Sequence, residues 1–170
     1  ILLIGPTPEG RDFWREFSVA LGFTGLAMMG LQFVLTARFK TLKAPYGSDI
    51  VYFFHRQISV VTFFLILAHP IILFITSPSM LSLLNPITAP WRARFGLVSI
   101  LSLVGLVVFS IYRKQLKILY ERWRIWHGAF AIFAMLGALF HILGVNHYVA
   151  IPWKKAFWIA YTAFWVGLIL

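Results

Sequence analysis

Cysteine is absent from this chain of 170 residues, acidic residues number five, and charged residues of both signs make up only 12% of it. Without cysteine there are no disulfides, zinc–thiolate centres, iron–sulfur clusters or covalently attached c-type haem. The low charge excludes an ordinary soluble domain, in which about a quarter of residues are charged. The scarce acids, Glu9, Asp12, Glu16, Asp49 and Glu121, all lie at or beyond the ends of apolar segments. No Gly-rich dinucleotide fingerprint occurs, so no flavin or nicotinamide module is encoded within these residues. The opening Ile1-Leu2-Leu3-Ile4-Gly5-Pro6 has neither a basic n-region nor a small-residue cleavage pattern, which argues against a signal peptide.

What is present in excess is apolar: 61% hydrophobic and 18% aromatic residues, with a mean hydropathy of +0.86. These values mark an integral membrane protein. Apolar segments run from Phe13 to Thr36, Val51 to Thr76, Phe95 to Ile111, Trp123 to Val145 and Ala156 to Leu170. All but the shorter last one have the length to cross a hydrocarbon core of roughly 30 Å. The expected fold is all-α, an integral membrane helix bundle with five transmembrane helices in this chain. Both ends break off in apolar sequence, so the native protein is expected to continue on either side.

A net charge of +10 does not point to nucleic acid, because the basic residues sit in short segments between the apolar stretches. There they set membrane orientation. One side collects Arg38, Lys40, Lys43, Arg113, Lys114, Lys117, Arg122 and Arg124; the other holds Arg11, Arg15, Arg92, Arg94, Lys154 and Lys155. The richer set marks the cytoplasmic face, which leaves the C-terminus cytoplasmic.

Four of the five histidines form two pairs of identical spacing, His55 with His69 and His127 with His141, each inside a long apolar segment. Fourteen residues of α-helix rise about 21 Å and bring the second side chain to within about 40° of the first. Each helix therefore presents two imidazoles on one stripe. Ionisable side chains in a bilayer are costly and are functional candidates by default. One isolated histidine more often satisfies a polar neighbour, but the repetition points to two stacked haems. One span separates the two histidine helices, so they run in the same direction. His55 is then expected to share an inner haem with His127, and His69 an outer haem with His141. Two imidazole ligands leave the iron no free position, which suits electron transfer.

A haem plane approaches a helix closely only where side chains are small. The stripe between His127 and His141 reads Ala131, Ala134 and Ala138; that between His55 and His69 reads Ser59, Thr62 and Ile66. Small residues at this spacing also serve plain helix packing. Arg56 and Arg124 are candidates to pair with inner-haem propionates or are flanking charges. Phe133, near mid-helix, is a candidate for the space between the haems, or packs generically. The segment Ser77 to Trp91, with Pro78, Pro86 and Pro90, reads as an apolar lid or an interfacial loop. Pro70 is expected to kink or loosen its helix end, and His147 reads as a solvated loop residue.

These residues resemble the ferric reductase-like transmembrane domain shared by NADPH oxidases, ferric-chelate reductases and their bacterial relatives. The likeness rests on the twin histidine pairs, on Arg56 beside the first ligand, and on the YERWRIWH approach from Tyr120 to His127. It implies six helices in the complete domain, the first surviving only as Ile1 to Ile4, and two b-type haems. It also implies a cytoplasmic FAD- and NAD(P)H-binding module after Leu170, or a separate flavoprotein, feeding an acceptor on the outer face, dioxygen or ferric iron. Phe133 is similar to the aromatic residue between the haems of oxidases. Oxidases also carry an arginine near the outer haem; here Arg15 is the candidate, with Val19 near the expected depth.

Two other readings stay open. One is a haem-bearing partner subunit, such as the membrane anchor of a methionine-sulfoxide reductase or a quinol-linked cytochrome b. The other is a transporter using its histidines for protons or metal, which would need carboxylates or broken helices near the midplane. The position of the five acids counts against it.

Overall fold

The computed structural model describes residues 4–36 and 47–169. Arg38, Lys40 and Lys43, and the Ile1 to Leu3 part of the expected helix remnant, lie outside these residues. Among the described residues the α-helices are α1 (Phe13–Thr36), α2 (Gly47–Thr76), α3 (Trp91–Tyr112), α4 (Tyr120–Val145) and α5 (Pro152–Gly167). A 3₁₀ helix, Pro78–Leu84, follows α2 within the segment Ser77 to Trp91 that reads from sequence as a lid or interfacial loop. No strand occurs among the described residues.

A helix matches each expected span, α5 ending at Gly167, and α2 to α5 each begin three or four residues earlier than the apolar pattern suggests. Charge marks where water begins, whereas backbone hydrogen bonding continues through the first wet turn. Asp49, Arg92, Arg94, Glu121, Lys154 and Lys155 all sit in these added or adjoining helical residues. Proline sets two of the starts, Pro90 immediately before α3 and Pro152 as the first residue of α5, where a missing N–H costs nothing. At its far end α4 stops on Asn146 in the left-handed region (φ 58°), its N–H bonded to Ile142 O at 2.9 Å.

Pro70 does not end α2, which continues six residues to Thr76. The proline removes only the hydrogen bond to Ile66 O, and contacts with α1 at Ile66 and His69 hold the helix here.

Among the described residues, four helices are long and apolar enough to cross a membrane: Phe13–Phe33, Asp49–Thr76, Trp91–Tyr112 and Tyr120–Val145. The 16 residues of α5 rise about 24 Å, less than the core thickness. Large apolar side chains face outward throughout, among them Phe64, Ile75, Leu101 and Ile125. An outer surface of this kind belongs in lipid rather than water.

Two compact units divide the chain, one built on residues 8–81 and 163–169, the other on residues 4–7 and 82–162. In the first, α1 packs along α2; in the second, α3 packs along α4. Small residues let the backbones approach. In the first unit the small Ser18, Gly22 and Gly25 recur every three or four residues along α1, and the larger buried Met29 and Gln32 continue the same spacing. A side chain at Gly25 would strike Ile66. Further along, the Gln32 amide donates to Thr62 Oγ1 at 3.0 Å and accepts a hydrogen bond from Ser59. In the second unit a Cβ at Gly137 would lie 2.9 Å from both Phe95 O and Ser99 N, and Ser99 Oγ donates to Ala134 O at 2.8 Å.

Candidate functional site

The four paired histidines divide between the units, His55 and His69 on α2, His127 and His141 on α4. His69 is held by α1. Its Nδ1 lies 3.0 Å from Ser18 O and 3.0 Å from Ser18 Oγ, while the Ser18 hydroxyl lies 3.1 Å from His69 O. A carbonyl only accepts, so the hydroxyl proton goes to His69 O and the imidazole proton sits on Nδ1. Gly22 faces the same ring, and a Cβ there would lie 3.2 Å from His69 Cγ.

His141 repeats the arrangement in the second unit. Its Nδ1 donates to Arg92 O at 2.8 Å, and a Cβ at Gly96 would lie only 2.9 Å from that nitrogen. For His127 the acceptor is Ser110 Oγ at 3.1 Å, a hydroxyl whose own proton goes to Leu106 O at 2.7 Å. The Trp123 ring lies against His127, centroids 4.9 Å apart. His55 is half-buried, and the Ser59 hydroxyl has its carbonyl at 2.7 Å and Gln32 Oε1 as two acceptors for its single proton.

Three imidazoles thus have Nδ1–H committed to an oxygen of the neighbouring helix. Such a bond fixes the tautomer, orients the ring and leaves the Nε2 lone pair for a metal.

The other residues singled out by sequence are placed as follows. Arg56 is exposed. Arg124 is exposed too and pairs with Glu121 at 3.1 Å. Arg15 directs its guanidinium to Met80 Sδ at 3.9 Å, and its backbone N–H is capped by Asp12 Oδ1 at 3.1 Å. Phe133 is exposed on α4. Ala131 and Ala134 are buried and Ala138 is half-buried; the bond from Ser99 shows that α3 covers Ala134, so this part of the stripe is a helix-packing surface. His147 is half-buried rather than fully solvated: its ring stands edge-on to Tyr148 at 4.7 Å, and its Nε2 is enclosed without a hydrogen-bond partner.

Sequence reasoning passed over Ser18, Gly22, Gly96, Ser110 and Trp123. Their signal was present, since Ser18 and Gly22 are one helical turn apart, but the partner histidines are remote in sequence. Lys154, counted among the outer-face charges, is enclosed to 1% exposure with its ammonium 5.8 Å from the Trp153 ring.

A family profile described as Ferric reductase like transmembrane component matches residues 21–138, well over half of the chain. The chain belongs to the ferric reductase-like transmembrane family. It is accordingly an integral membrane domain of an electron-transfer, haem-binding family, with oxidoreductase activity as the family's chemistry. The matched stretch takes in His55, His69 and His127, with Gly22, Gly96, Ser110 and Trp123 around them, and stops just short of His141. No curated protein and no solved structure matches the chain.

Proposed function

We propose that this ferric reductase-like domain carries electrons across the membrane by way of two b-type haems with bis-histidine ligation. The inner haem takes His55 and His127, and the outer haem takes His69 and His141. The observation that supports this most strongly is the shared state of His69, His127 and His141, each with Nδ1–H bound to a neighbouring oxygen. Among the described residues no three His, Asp or Glu side chains converge as a bare metal ion's cage would require. A haem needs only two protein ligands, which suits histidines presented one by one.

When bound, haem iron supplies reversible one-electron chemistry without a free coordination position. The chain's own residues perform the positioning. Ser18 O, Arg92 O and Ser110 Oγ fix the imidazole tautomers, while Gly22 and Gly96 let the ring edges lie against the adjacent backbones. These acceptors raise the basicity of Nε2 and so favour ferric iron.

On this reading electrons come from a cytoplasmic FAD- and NAD(P)H-binding module, fused or separate, and leave to dioxygen or ferric iron outside. The C-terminus lies on the cytoplasmic side. Arg56 and Arg124 mark the inner end, Arg15 the outer end, and Phe133 the middle of the path; Ala131 and Ala138 flank the close-packed Ala134. The test is a reduced-minus-oxidised absorption spectrum of the haem-supplied protein, with a pyridine haemochrome assay. A low-spin b-type spectrum with about two haems per chain supports the proposal; folded protein that takes up no haem refutes it.

A further inference from the structure

One turn before His127, on the same stripe of α4, stands Trp123. Its ring packs on the His127 imidazole at 4.9 Å with an interplanar angle of 41°. Its Nε1 is enclosed and has no hydrogen-bond partner. Buried indole N–H groups usually find an acceptor, and leaving one without is costly. An interfacial anchoring role would turn this nitrogen toward headgroups and water. Trp126, three residues on, is exposed and suits that role. Trp123 is not exposed in that way.

A cation accompanies the unused donor. The Arg113 guanidinium lies 5.3 Å from the Trp123 ring centroid and 5.5 Å from that of Tyr120. The nearby acid in sequence, Glu121, is engaged by Arg124 at 3.1 Å. Among the described residues no carboxylate pairs with Arg113. An N–H donor and a guanidinium beside a candidate iron ligand therefore share a missing anion.

We propose that Trp123 Nε1–H and the Arg113 guanidinium together hold a carboxylate of the haem ligated by His127. This rests on the haem reading above and deepens it. A haem carries two carboxylates at its edge, and the cost of charge within a bilayer directs them to the nearer membrane face. Trp123 lies between His127 and the α3–α4 turn, and Arg113 opens that turn, on the same side. Charge-assisted hydrogen bonds from both groups suit a carboxylate. The sequence had offered Arg56 and Arg124 for this role, but both are exposed, where the solvent weakens such pairing.

The experiment uses the haem-loaded protein and compares Trp123→Phe, Arg113→Gln and the control Trp126→Phe. Phenylalanine keeps an aromatic ring at this position and removes the N–H, and Arg113→Gln removes the cation while leaving the indole N–H in place. Readouts are the two haem midpoint potentials and the propionate bending modes in resonance Raman spectra. Trp123→Phe and Arg113→Gln should both shift one propionate mode and lower the potential of the same haem, because its carboxylate charge is less compensated. The second haem and the Trp126→Phe protein should be unchanged. Two haems of unaltered potential and unaltered propionate modes in both variants overturn this inference alone. Absence of haem from the unsubstituted protein overturns the haem reading with it.

Discussion

Gly96→Ala places a methyl group where the structure has no room for one. The new Cβ would lie 2.9 Å from His141 Nδ1, against the 3.4–4 Å of ordinary van der Waals contact, an encroachment of at least about half an ångström. The ring has little freedom to retreat, because Nδ1 is bonded at 2.8 Å to Arg92 O one turn back on the same helix as Gly96. Either the helices part or the imidazole turns away and leaves its N–H without an acceptor. Either route costs about 1–3 kcal/mol. If that cost falls on the ligand, the hold on its haem weakens roughly 5- to 150-fold, about 1.4 kcal/mol being a factor of ten. The assay is haem retained per chain against time with excess apomyoglobin as acceptor, read with the low-spin EPR signals. Gly167→Ala, where nothing lies within 4 Å of the added Cβ, is the control. Unchanged release rates and spectra in Gly96→Ala would refute the claim that this backbone seats the ring.

Ser110→Ala removes the His127 Nδ1 acceptor and should weaken retention of that haem about tenfold or more, whereas Ser18→Ala leaves the backbone acceptor of His69 in place and should act less; release rates for the two variants give the comparison. Gln32→Leu cuts the bonds to Thr62 and Ser59 and should lower the stability of the α1–α2 pair by about 1 kcal/mol, measured by denaturation in mild detergent. Arg124→Ala breaks an exposed pair with Glu121 and should change stability by less than about 1 kcal/mol; a larger loss in the same assay would mean that Arg124 has a partner beyond Glu121.

The helices and the histidine stripes were legible from the sequence because hydropathy and a 3.6-residue period are local properties. Starts were read late at Asp49, Arg92 and Glu121, since the pattern tracks the edge of lipid and not the hydrogen-bonded helix. The end of α2 at Thr76, past Pro70, was legible from the apolar run, whereas the α1 contacts that hold the helix at Ile66 and His69 were not, because they are remote in sequence. Ala134 shows the same limit, for a small residue beside a ligand stripe suits a cofactor and a neighbouring helix equally, and only the Ser99 bond decides that α3 covers it. The pairing of Ser18, Arg92 O and Ser110 with their histidines was out of reach. Two are ordinary helix serines and one is a backbone carbonyl, and the pairing of each with its histidine exists only once the helices have packed. Lys154 was counted as a surface charge because composition carries no information about enclosure.

The most direct test of the central claim is the low-temperature EPR spectrum and haem count of His69→Leu beside His141→Leu. If these two histidines share one iron, each substitution removes the same low-spin signal and lowers the count from about two haems per chain to about one, as bis-imidazole ligation requires. Retention of both signals in either variant, or loss of different signals in the two, would contradict the account.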